Sequence, residues 1–215
     1  MNRANRYISL AVILFYSCND FTSERRYFNR TEENFNTNIK SLEEQNNDNL
    51  RRSISLLIMS KNGEIPYTLV EKISDSIIST SLKYNFDPIL ITTIIYKESE
   101  YNPFSVSPKG AVGLMQLIPR YFQDEKINIF DIDTNIDRGT AELSRLRDKY
   151  GNYIDMLMAY LGGETLLKNY KKGDIPEETA ILMNYYASMI LLNYQILSAR
   201  FRININTETE LVFIN

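Results

Sequence analysis

The chain has 215 residues, 44% of them hydrophobic and 24% charged, and its 24 Lys and Arg against 27 Asp and Glu give a net charge of -3. That is enough chain for one well-buried domain, and it lacks the basic excess that binding a phosphate backbone requires, so nucleic acid is not expected as a partner. With no histidine and one cysteine, Ser-His and Cys-His nucleophiles, His or Cys zinc sites and an internal disulfide are excluded, which leaves carboxylates, hydroxyls, amides and lysines for any chemistry.

Residues 1–18 have the shape of an export signal: Arg3 and Arg6, an apolar run from Tyr7 to Phe15, then Tyr16, Ser17 and Cys18. The run is short for a bilayer span. Its end resembles a bacterial lipoprotein signal, in which a small residue precedes a cysteine that becomes the lipidated N-terminus; Ser17 and Cys18 fit, whereas Phe15 and Tyr16 are bulkier than usual. An uncleaved anchor with an incidental cysteine is the alternative, and both readings export the remainder. Residues 19–50 hold eight Asn among many Glu, Arg, Ser and Thr, a composition that buries too little apolar surface to offset ordering entropy. A polar tether is therefore expected over 19–65, with a short docking helix at 51–60.

Every proline and glycine lies at or beyond Gly63, and the folded domain is expected over 66–200. Leu69, Val70, Ile73, Ile77 and Leu82 recur at helical steps, and Asp87-Pro88 then supplies a cap and a first-turn proline for a second helix. Loop is expected from Pro119 to Asn135. A helix follows over Ile136 to Tyr150, a shorter one runs from Ile154 to Leu161 and ends at Gly162-Gly163, and Pro176 opens a long one reaching about Arg200. Alternation appears only at Glu210 to Ile214, within a tail over 201–215, so the fold class expected is all-α.

In the helix that Pro88 opens, Ile91, Ile94 and Ile95 form an apolar stripe whose next position is Glu98. Asn102-Pro103 stops the helix soon afterwards, because proline disfavours a helical residue before it. Glu98 thus falls in the last turn, where the negative end of the helix dipole and partial desolvation both oppose ionisation. A raised pKa is expected, as a general acid near neutral pH needs. An ordinary solvated helix-end glutamate is the alternative on spacing alone.

The run Glu98-Ser99, Asn102-Pro103, then Ser107 through Gln116 with Gly110, Ala111, Gly113, Leu114 and Met115, and finally Pro119, resembles the core of lytic transglycosylases with the goose-lysozyme-like soluble transglycosylase (SLT) domain. Asn135-Ile136 with Gly139, Ala159-Tyr160, and Pro176 with Glu178 and Thr179 are similar to that family's later motifs, so the resemblance spans about residues 68–198. It implies a lysozyme-like helical domain with an active-site cleft, acting on peptidoglycan strands on the periplasmic side of a bacterial membrane, held there by the N-terminal lipid and needing no cofactor or metal. It makes Glu98 the catalytic acid and base, Ser99 a hydrogen-bonding support, Met115 and Gln116 sugar contacts and Tyr160 a hydroxyl near the carboxyl. Core filling is the alternative for Met115, and a turn with a tight helix contact is the alternative for Gly110 and Gly113.

Two positions depart from the pattern. Leu161 and Gly162 stand where Asn and Ala are usual, and Leu182 stands where Tyr is usual. Glu100 lies off the stripe and Asp124, Asp131 and Asp133 fall in the loop, so a single-carboxylate scheme ending in a 1,6-anhydro ring fits best. A hydrolytic muramidase of the same fold, using a loop aspartate to position water, and a noncatalytic lipid-tethered glycan-binding module are the competing readings.

Overall fold

Asp87 starts the helix around which the others pack. The computed structural model describes residues 45–122 and 127–212, the stretch 202–212 as backbone only. The signal-like segment, Cys18, most of the expected tether and Asp124 lie outside the described residues. In chain order the helices are α1 (45–61), α2 (Tyr67–Tyr84), α3 (Pro88–Ser99), α4 (Ile132–Tyr150), α5 (Tyr153–Gly162), α6 (Glu164–Lys172) and α7 (Glu177–Val212), with a 3-10 turn at Pro119–Tyr121. Among the described residues there is no strand, only isolated bridges from Val112 to Val106 and to Leu117. The all-α expectation is met. No helix among the described residues is long and apolar enough to cross a membrane.

The Asp87 carboxylate accepts from the Ile89 amide at 2.9 Å, and Pro88 fills the first turn, where no amide partner is needed. Every residue from Ile89 to Ile95 is buried, so α3 is enclosed on all sides rather than along one stripe. Thr92 and Thr93 tolerate this because their hydroxyls donate to the carbonyls of Pro88 and Ile89, each at 2.7 Å. α2 and α7 pack on α3; α4 packs on α2 and α5, and α5 on α6 and α7. Two contacts set the register of α7: the Tyr194 hydroxyl donates to the Asp87 carboxylate at 2.9 Å, and the Lys97 ammonium sits 4.2 Å over the Tyr186 ring. The later α7 residue meets the start of α3 and the earlier one its end, so the two helices run antiparallel. Met183, Ala187 and Ile190 form the buried seam of α7.

The structure differs from the sequence expectation at both ends, at Leu82, at the start of α4, which is Ile132 rather than Ile136 because the Asp131 carboxylate caps it, and between α5 and α7. α1 is longer than the helix expected at 51–60, and Ile54 and Ile58, one turn apart, are completely buried. The Ser55 and Ser74 hydroxyls lie 2.9 Å apart, and Arg51 pairs with Asp75. The compact unit accordingly starts at Asn47, upstream of position 66, because two isoleucines at helical spacing outweigh the polar residues around them. Leu82, read as part of the α2 stripe, is 68% exposed. α6 forms where no helix was expected, and α7 continues through 201–212 in place of a separate tail.

Candidate active site

Glu98 lies where the enclosed helix reaches the surface. It is partly exposed, while Ser99 beside it is buried. Burial pushes the Glu98 carboxyl up to about 7, with the adjacent Lys97 charge opposing the shift. No described residue reaches this carboxyl with a hydrogen bond or ion pair. It is thus an unsatisfied acid that is half protonated near neutral pH and can give up or take a proton there.

Beyond Ser99 the chain turns sharply through two consecutive left-handed residues, Glu100 at φ 52° and Tyr101 at φ 63°. Such residues are uncommon outside glycine and cost energy unless their surroundings fix them. Tyr101 is 1% exposed and its ring lies 5.5 Å from that of Tyr96, while Asn62, just past α1, donates to the Glu100 carbonyl at 3.1 Å. The N-terminal helix thereby braces the turn that follows the acid.

The segment from Asn102 to Leu117 is irregular yet pinned throughout. Asn102 accepts from the Phe104 amide at 2.9 Å, and the Ser107 hydroxyl accepts from the Ala111 amide at 3.0 Å. Ser99 donates to the Leu114 carbonyl at 2.9 Å, which fastens the loop to the end of α3. Asn135, 1% exposed near the start of α4, accepts from the Met115 amide at 2.8 Å and donates to the carbonyls of Ile129 at 2.8 Å and Val112 at 3.1 Å. Tyr160 on α5 donates to the Met115 carbonyl at 2.8 Å. Both polar groups of the Met115 backbone are therefore held from other elements. Gly113 has φ 76° and its α-carbon faces the Asn135 amide so closely that no β-carbon would fit, so turn geometry and a tight helix contact both require glycine there.

These partners bring Glu98, Ser99, the 114–116 segment and Tyr160 together, and they alter the roles of three residues. The Met115 side chain is completely buried, with its sulfur 3.7 Å from the Thr140 hydroxyl and packed on Gly139. It fills the core and does not present a sugar contact. Gln116, at φ 49°, commits its amide nitrogen to the carbonyls of Gly113 at 2.9 Å and Ser105 at 3.3 Å, so the donors expected for a sugar hold the loop. The Tyr160 hydroxyl is close enough to Glu98 for that charge, after burial, to raise its pKa, but its proton is directed at Met115.

Of the three aspartates expected in the loop, Asp124 lies outside the described residues, while Asp131 and Asp133 fall at the cap and in the first turn of α4 and are occupied. Asp131 caps α4, accepting from the Thr134 amide at 3.0 Å, and it meets Lys72 at 3.1 Å; Asp133 meets the same lysine at 3.3 Å. Two surface hollows of about 430 and 460 Å³ lie away from Glu98, and their acidic residues are already paired, Asp137 with Lys83 and Glu164 with Lys149. Leu161 packs against the core, and Leu182 is 46% exposed. The role of Asn135 was not read from the sequence, where it was only part of a motif; a lone asparagine in a first helical turn, with glycine four residues later, was its only signal.

The transglycosylase SLT domain family matches residues 75–182. A protein named transglycosylase from Enterobacteria phage PRD1 is 39% identical over 90 residues, covering 41% of this chain and 34% of that protein. A membrane-bound lytic murein transglycosylase E from Buchnera aphidicola is 34% identical over 119 residues, covering 46% of this chain and 54% of that one. The chain thus spans roughly a third to a half of the length of these relatives. The 70-kDa soluble lytic transglycosylase of Escherichia coli shares the fold over 73% of this chain and 30% of its own, with a TM-score of 0.50 at 21% identity. With half of its length matched, from within α2 to the first turns of α7, the chain belongs to the transglycosylase SLT domain family.

Proposed function

We propose that the protein is a peptidoglycan lytic transglycosylase with Glu98 as its single acid and base. The observation that carries this reading is a carboxyl held near pH 7 at the exposed end of a buried helix, with no partner of its own among the described residues. Protonated Glu98 gives its proton to the glycosidic oxygen between N-acetylmuramic acid and N-acetylglucosamine, and that bond breaks as the muramic 2-acetamido oxygen stabilises the anomeric carbon. The carboxylate then takes the proton of the muramic 6-hydroxyl as its oxygen bonds to the anomeric carbon. The 1,6-anhydro ring closes, and Glu98 returns to its starting state. Engagement of Asp131 with Thr134 and Lys72, and of Asp133 with Lys72, favours this scheme over a hydrolytic one that needs a second free carboxylate. Ser99 and Tyr160 act as positioning residues that hold the 114–116 segment against the acid.

Attachment to the periplasmic side of a bacterial membrane through a lipid on Cys18 belongs to the same reading. It is supported by the Ser17-Cys18 signal and by the membrane-bound relative from Buchnera. Cys18→Ala is expected to abolish partition into the detergent phase, and identical partition of both forms removes the lipid from the account.

Digestion of purified sacculi tests the reaction. Wild-type protein is expected to release anhydro-muropeptides lighter by one water than hydrolysis products, and Glu98→Gln is expected to lose at least about 10² to 10⁴ in rate. Reducing, hydrated ends would make the protein a muramidase. Binding of sacculi without release of either product would make it a glycan-binding module.

A further inference from the structure

The outer side of α7 has no charge where a surface helix ordinarily carries several. From Thr179 to Ala199 the sequence holds no Asp, Glu, Lys or Arg, the longest such run in the chain. Burial accounts for only one side of it. Met183, Ala187 and Ile190 form the inner seam, whereas Ile181, Tyr185, Ser188, Leu192, Ile196 and Ala199, spaced by three and four residues on the opposite side, are all exposed. The outer side of α4 instead presents Asp133, Arg145, Asp148 and Lys149. A helix that is apolar on two opposite sides has the pattern of one covered on both.

The ends of the outer stripe point to what covers it. Glu177 and Glu178 stand just before the uncharged run and Arg200 just after it, all three exposed and none paired with an opposite charge among the described residues. The stripe also reads nearly the same from both ends. A two-fold axis beside Ser188 and Met189 brings Ile181 of one copy level with Ile196 of the other, Tyr185 with Leu192, and the turn of Glu177 and Glu178 with Arg200. Apolar residues then meet apolar ones, and each acidic end meets a basic one. Ser188, a small residue, falls where two such helices cross and come closest. A parallel pair would set the glutamates against their own copies, and an anionic bilayer would repel the same end.

We propose that α7 pairs antiparallel with α7 of a second copy, through the stripe from Ile181 to Ala199, and that the protein is a two-fold dimer. This does not depend on the reaction proposed above. The stripe is about 27 Å long at a rise of about 1.5 Å per residue, and covering it on both copies hides on the order of 1,200 Å², the low end of specific interfaces. An interface of that size holds in the micromolar range. Tyr185 already leans edge-on against Tyr186 at 5.7 Å, and Tyr186 is seated under Lys97, so one large side chain of the interface loses little freedom on association.

Sedimentation equilibrium of the full chain in density-matched detergent tests the dimer. Wild-type protein is expected to pass from monomer to dimer between about 1 and 100 µM. Leu192→Glu is expected to raise the dissociation constant on the order of 100-fold, tenfold for each copy, while its melting at concentrations where the protein is monomeric stays that of wild type. Arg200→Glu should weaken the dimer roughly three- to tenfold. Combining it with Glu178→Arg should restore the wild-type value, because the two ends face each other only in an antiparallel pair. Ser188→Cys should cross-link to its own copy under mild oxidation, beyond the wild-type baseline set by Cys18, and Lys168→Cys on α6 should not. Monomer at every concentration, a dimer that Leu192→Glu leaves intact, or a dimer that Ser188→Cys does not cross-link overturns the proposal. A monomer whose melting midpoint falls in Leu192→Glu assigns the stripe to residues 1–44 instead. A monomer that floats with phosphatidylcholine and phosphatidylglycerol vesicles, and ceases to in Leu192→Glu, assigns it to a bilayer; either result also overturns the dimer.

Discussion

The segment from Asn102 to Leu117 and the helix α7 flank Glu98 and are built in opposite ways. The segment has almost no regular structure, yet side chains from α3, α4 and α5 hold its backbone at Leu114, Met115 and Val112. α7 is regular over its whole length, yet among its described side chains only Met183, Ala187, Ile190 and Ser198 are buried, and Ile181, Tyr185, Leu192 and Ile196 face solvent. Regular hydrogen bonding makes a helix without making it immovable. Precision beside the acid comes instead from polar side chains that reach across from other elements.

Breaking the pins of the irregular segment should have the largest effect. Asn135→Ala removes three buried hydrogen bonds and leaves the Met115 amide and the Ile129 carbonyl without that partner. Urea unfolding is expected to show a loss of about 3 kcal/mol or more, with turnover lost even where the protein stays folded.

Between the two regions, Glu98 itself should work against the fold. A carboxyl near 7 in the folded protein against 4.5 when unfolded is favoured by folding in its protonated form. Its contribution is fully present below about pH 4.5 and is lost as pH rises through 7. Glu98→Gln should therefore be more stable than wild type at pH 8, by at most about 3 kcal/mol, with the gap shrinking to nothing near pH 4 in paired melts. Turnover requires the protonated form and should fall about tenfold per pH unit well above 7.

Gly139→Ala sharpens the comparison from the packing side. A β-carbon there would meet the Met115 sulfur at 2.5 Å, and overpacking of this kind costs about 1 to 3 kcal/mol. The midpoint of thermal unfolding should drop accordingly. Tyr160→Phe removes one hydrogen bond to Met115, and a loss of about 1 kcal/mol is expected in the same assay. Tyr185→Ala, on the exposed side of α7, should change stability by less than about 0.5 kcal/mol. A larger loss there would mean that α7 is held more firmly than its exposed face implies.

The same contrast explains what was readable in the sequence. Glu98 was legible because the isoleucines at 91, 94 and 95 run straight into it and Asp87-Pro88 marks where their helix begins. For Met115 the structure selects the core-filling alternative, and the groups that hold Met115 and the Gln116 amide nitrogen were not legible because they are remote or masked by the turn: Asn135 and Thr140 reach Met115 from 20 and 25 positions away, and Gln116, at positive φ, bends back on Gly113. α1 was legible as a short helix at 51–60 but not as part of the core, because Ile54 and Ile58 follow an asparagine-rich stretch whose composition speaks for solvent. α6 escaped because only Leu167 is buried on it, too little for a periodic signal. Local patterns announce local structure, whereas a polar side chain received from another helix leaves almost no mark in the segment that receives it.

The bond from Asn62 to the Glu100 carbonyl has a mechanical consequence. α1 is the first described helix, so a pull applied at its N-terminal end loads it before any other described helix. The load is then shared by the ion pair from Arg51 to Asp75, the contact of Ser55 with Ser74, and this one bond two residues beyond Glu98. Tension would be felt at the turn behind the acid while α3 remained seated in the core.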